Sequence, residues 1–136
     1  MAAYYAANPT TSSKDIQIIR RAIAAMPEPL VGAVRMLENN PHVNARVDTI
    51  PGTFEPDPKS KYIWISRKGD AFRSKDPYRI AGTLLHENEH LKGADEITAR
   101  ERQLEFLKAA IAAGQTKQDR RYMRTLEDFL KAHKRR

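Results

Sequence analysis

The sequence reads as a single α+β domain, on three observations. Segments of helical period lie at both ends, strand-like runs lie between them, and 136 residues suffice for one modest core but not a second. The expected architecture is a short β-sheet with a helix packed on it, flanked by N- and C-terminal helices. Residues 1–136 form one domain, in which 1–12 are a loose lead-in and 134–136 a frayed basic end.

Each element has a local reason. Ser12 or Ser13 can cap a first helix, in which Ile16, Ile19, Ile23 and Met26 recur at helical spacing until Pro27 ends it. After Pro29, the stripe Leu30, Val34 and Leu37 predicts a second, short helix, stopped by Asn39-Asn40-Pro41. VNARVDTI (43–50) alternates as a half-buried strand does, and PGTFEPDPKS is a loop. KYIWIS (61–66) is the clearest strand, aromatic and β-branched, closed by the turn Arg67-Lys68-Gly69-Asp70. Asp76-Pro77 then opens a helix, with an N-cap acceptor and proline at the first helical position. That helix runs through His90 and stops near Gly93. Another spans Asp95 or Glu96 to Gly114. A last one covers 117–133, with Tyr122, Leu126, Phe129, Leu130 and His133 on one stripe.

Composition narrows the function. No run approaches the roughly 20 apolar residues that span a bilayer, and MAAYYAANPTT lacks the regions of a signal peptide. A cytoplasmic protein with no membrane partner is the expectation. Without cysteine, any metal is held by His, Asp, Glu, backbone or water. The net charge of +7 raises nucleic acid as a partner. Yet residues 117–136 hold eight Lys/Arg and three Asp/Glu, so +5 of the +7 sits there. A solvated basic helix accounts for that, and no zinc-finger spacing or RNA-binding aromatic motif supports a specific nucleic-acid site.

The chemistry concentrates in LLHENEHLKGADEITA, residues 84–99. On a helix His86 and His90 lie about 40° apart and one turn along, so two imidazoles can share one metal ion. Ile80, Leu84 and Leu91, with Ala81 and Leu85 beside them, fall on roughly the opposite side, so core and ligand faces are separate. Zinc held by two histidines needs a third protein ligand and an open position for water. A glutamate can then take that water's proton. Glu87 and Glu89 flank the histidine face at similar angles, and the helical wheel does not choose between them.

Here the chain resembles the zincin metallopeptidases, over roughly residues 43–110. The resemblance rests on YIWI, on DPYRIAGTLLHENEH with its HExxH, and on the ExxA of Glu96-Ile97-Thr98-Ala99. It implies a zinc-dependent endopeptidase, a hydrolase acting on a peptide or protein, with Glu87 as general base and Tyr62–Ser66 as the cleft-rim strand to which substrate adds. HENEHLKGADE fits HExxHxxGxxE, with Gly93 at the metzincin turn and a gluzincin-like Glu96 as third ligand. The mixture is similar to a minimal zincin of the small bacterial or phage type. Asp95, better placed as a helix cap, and Glu101, a turn further on, are the alternatives to Glu96. Tyr78, Arg100, Tyr122 and His133 are candidates for holding an oxyanion, and no spacing selects one. His42 reads as an exposed turn residue, and Trp64 as a core or rim aromatic. The rival functions are a catalytically silent zincin-like protein that binds metal or a partner, and a basic nucleic-acid-binding helical protein.

Overall fold

The computed structural model describes residues 5–6, 13–37, 45–49 and 61–134. Their order is β1 (Tyr5–Ala6), α1 (Ser13–Ala25), β2 (Ala33–Leu37), β3 (Ala45–Thr49), β4 (Lys61–Ser66), α2 (Asp70–Arg73), α3 (Pro77–Leu91), α4 (Glu96–Ala112) and α5 (Arg120–Lys134). The fold is α+β. Among the described residues, no helix is long and apolar enough to cross a membrane.

The strands form one sheet in the order β1-β2-β4-β3. β2 runs parallel to β1 and β4, whereas β3 runs antiparallel to β4. Alternation along β4 puts Ile63 and Ile65 on one face, fully buried with Val34 and Met36 of β2. Against that face pack Ile19 and Ala22 of α1 and Ile80, Ala81 and Leu84 of α3. The opposite face carries Arg35, Tyr62 and Trp64, with the Arg35 guanidinium 4.5 Å from the Tyr62 ring centre. A second apolar cluster joins α4 to α5 through Leu104, Leu107, Leu126 and Leu130, and Phe106 touches both clusters. The apolar stripe of α5 is thereby covered, while Arg120, Arg121, Arg124 and Lys131 remain exposed.

Three expectations change. The helix predicted after Pro29 is instead strand β2: Val34 and Met36 point into the core and Arg35 away from it. AVRML fits period 2 as well as the stripe Leu30, Val34, Leu37 fits a helix, and parallel pairing with β4 decides between them. The lead-in contains the two-residue strand β1, which has no periodic signal and exists only by pairing with β2. Tyr62–Ser66 is not a rim: β4 is paired on both sides, so its backbone has no free edge to receive a substrate strand. The short helix α2 was not anticipated either. The proposed stop at Asn39-Asn40-Pro41, His42 and the 51–60 loop lie outside the described residues.

Candidate metal centre

Helix α3 begins and ends as its local sequence dictates. Asp76 accepts the Tyr78 N–H at 2.9 Å, with Pro77 at the first helical position. At the other end Ala94 N–H reaches Glu89 O at 2.9 Å and Gly93 N–H reaches His90 O at 3.0 Å. This is a Schellman closure, and Gly93 takes the left-handed conformation it requires, with φ of 98°. The turn does two further things. It aims the Ala94 carbonyl at His90 Nδ1, 3.0 Å away, and it starts α4 at once, with Asp95 capping Thr98 N–H at 2.8 Å. Glu96, in the first turn of α4, therefore reaches back over α3. α4 lies against this face of α3: a Cβ on Gly82 would be in ordinary contact with Leu107 at 3.4 Å and Gln103 at 3.5 Å.

The result is a convergence of donor atoms. Glu96 Oε1 lies 3.0 Å from His86 Nε2 and 2.7 Å from His90 Nε2. On their far sides, His86 Nδ1 faces Gln103 Oε1 at 2.8 Å and His90 Nδ1 faces the Ala94 carbonyl. Acceptors at both Nδ1 positions place the N–H there and leave the Nε2 lone pairs turned toward Glu96. Two Nε2 atoms and a carboxylate oxygen meeting at one point favour a cation between them, either a proton on Nε2 or a metal ion. His86, His90 and Glu96, with one ligand atom each and all within 4.8 Å of one another, could hold a metal ion. Donors around a tetrahedral ion stand about 3.3 Å apart, so a shift of a few tenths of an ångström opens the cluster enough.

The electrostatics differ between the two imidazoles. Burial holds the His86 imidazole below its ordinary pKa, hydrogen bonds and nearby Glu96 notwithstanding, so its neutral, ligating form is favoured. Burial also acts against the charge of His90, but the Glu96 and Ala94 hydrogen bonds outweigh it and raise this group. For Glu96, burial is offset by Arg100 and the histidines, which hold the carboxyl down at about 2. Arg100 Nε donates to Glu96 Oε2 at 2.7 Å, leaving Oε1 for the cluster.

These residues open onto a cleft of about 780 Å³ between α3, α4, α5 and the start of α2. Glu87 lines it beside His86 and His90. Chiefly through burial, its carboxyl is pushed up to about 7. Glu89 is turned elsewhere. It is 7% exposed and ion-paired to Lys92 at 2.7 Å, behind the helix. Glu87 thus faces the cleft and Glu89 does not, because of what packs on each side of α3.

No family model, curated protein or solved structure matches the chain.

Of the candidate third ligands, Glu96 joins the histidines and Asp95 is the exposed cap. Glu101 is absent from the cleft lining. Among the oxyanion candidates, Arg100 and Tyr122 line the cleft. Tyr78 instead stacks on Phe106 and His133 on Phe129, with ring centres 6.2 and 4.0 Å apart. Gln103 escaped the sequence reading. It is 6% exposed, accepts from His86, and donates through Nε2 to the Tyr122 hydroxyl at 3.1 Å. A glutamine inside a helix, 17 residues beyond His86, carries no local signal of that role.

Proposed function

We propose that this chain is a zinc-dependent metallopeptidase of the zincin type. His86, His90 and Glu96 hold Zn²⁺, and Glu87 is the general base. The observation that carries this reading is the convergence of two imidazole Nε2 atoms and one carboxylate oxygen in a cleft that Glu87 also lines. Two histidines and a glutamate are the donor set of one class of catalytic zinc site. Bound there, Zn²⁺ supplies an acidified water and a Lewis acid for the scissile carbonyl. Glu87 accepts a proton from the attacking water and delivers it to the departing amine, a task suited to a carboxylate poised near neutral pH. Gln103 and the Ala94 carbonyl keep the two imidazoles oriented. Arg100 and Tyr122 are the cleft residues suited to hold the developing negative charge.

A cleft of about 780 Å³ has room for a few peptide residues, as turnover of a peptide requires. Elemental analysis should find about one zinc per chain, lost in His86→Ala and His90→Ala. Zinc-loaded protein should digest a peptide mixture, and the Glu87→Gln variant should not. A protein that carries no zinc, and whose melting temperature zinc does not raise, would sink the reading.

A further inference from the structure

The cleft wall holds a cation that the metal site and its base leave unused. Arg79 stands on the same face of α3 as Thr83, His86, Glu87 and His90. Its guanidinium lies over the Tyr122 ring, Cζ 3.7 Å from the centre, and Tyr122 is itself held at its hydroxyl by Gln103. Among the described residues no carboxylate lies within ion-pairing reach of Arg79; the Tyr122 stack is its side-chain partner. Arg121, exposed on α5, is a second cation of the wall, whereas Arg79 is held over an aromatic ring. Arg100 is bound to Glu96, Asp119 accepts the Arg121 N–H at 2.7 Å, and Asp70 sits in the first turn of α2.

Stacking fixes the plane of a guanidinium and leaves its N–H edge free. The ligand that matches such a fork is a carboxylate, taken by two parallel hydrogen bonds. Arg79 precedes His86 by seven residues, so about 10 Å of helix separates them. An extended peptide advances about 3.4 Å per residue, which makes that distance two to three residues of substrate. We infer that Arg79 selects peptides carrying a carboxylate two to three residues from the scissile bond. The carboxylate is that of an Asp or Glu side chain or the peptide's own C terminus. This inference rests on the metallopeptidase reading and specifies its substrate class.

The test is digestion of a randomised peptide library by the zinc-loaded protein, with free and amidated C termini in separate arms. Asp and Glu should be enriched about tenfold at the second or third position on one side of the cleaved bonds. Arg79→Gln should erase the enrichment, and Arg79→Lys should keep part of it, because lysine retains the charge but not the fork. Enrichment that survives amidation assigns the side chain; cleavage confined to free termini assigns the terminal carboxylate. Matching profiles for wild type and Arg79→Gln overturn the inference and leave the peptidase reading standing. If no Glu87-dependent cleavage occurs, the peptidase reading fails, and capture of the same library on zinc-loaded Glu87→Gln protein decides the inference alone. Acid-selective capture abolished by Arg79→Gln supports it, and capture without acid preference overturns it.

Discussion

Glu87 and Glu89 sit two residues apart on one helix, and their surroundings give them opposite characters. Among the described residues Glu87 has no hydrogen bond or ion pair, and burial pushes its carboxyl up to about 7. Glu89 is buried more deeply but compensated. Lys92 lies 2.7 Å away and Arg102 3.7 Å away, and both also hold Glu28 at 2.7 Å. Beside them Asn88, fully buried, accepts the Val31 N–H at 2.9 Å and donates to Glu28. This polar cluster ties the α1–β2 connection to the back of α3. Burial without a partner leaves a carboxylate ready to take a proton, whereas burial with partners makes it part of the scaffold.

The comparison breaks most visibly at Glu87. Glutamine keeps its shape and cannot accept a proton, so Glu87→Gln should retain the fold and zinc while turnover falls about a thousandfold or more. Unchanged peptide cleavage in that variant would assign the base elsewhere. Glu89→Ala should show the reverse, with zinc binding kept and stability lost by about 2 kcal/mol in urea unfolding. That is less than for a fully buried pair, because Lys92 and Arg102 keep Glu28 and some access to water. A silent Glu89→Ala would mean that the cluster behind α3 is not structural.

The two residues opening α4 sharpen the same contrast. Glu96→Ala should weaken zinc binding by roughly ten- to a hundredfold, read by competition with a chelator. Asp95→Ala should leave zinc affinity intact and lower the melting temperature by a few degrees, since only a cap is lost. If Asp95→Ala sheds zinc while Glu96→Ala holds it, the ligand assignment is wrong.

The smallest effect concerns pH. Burial acts to raise the Glu28 carboxyl, but hydrogen bonds from Lys92, Arg102 and Asn88 outweigh it and hold the group below its ordinary 4.5. A depressed carboxyl contributes stability that is present above 4.5 and lost as pH falls through the lower, folded-state value. Glu28→Gln should therefore reduce stability at pH 7 and flatten the acid side of the stability profile. An acid limb identical to wild type would count against the cluster.

What the sequence determined by itself is local. Asp76-Pro77 starts α3, Gly93 stops it, Asp95 starts α4, and KYIWIS is a strand, because each depends on backbone preferences within a few residues. The pairing of His86 with His90 was equally legible, since helical geometry alone puts them one turn apart. Glu96 came within reach for a related reason: the turn between the helices is too short to carry it away.

What only the tertiary structure decided involves partners distant in the chain. AVRML became a strand because β4 lies beside it, and β4 became an inner strand because β2 and β3 flank it. Gln103 reached His86, and Arg79 reached Tyr122, across helix contacts that no spacing encodes. Glu87 and Glu89 parted because α4 and α5 leave a cleft on one side of α3, while Glu28 and Arg102 close the other. A carboxylate's charge state follows from its neighbours, and those neighbours are assembled only when the chain has folded.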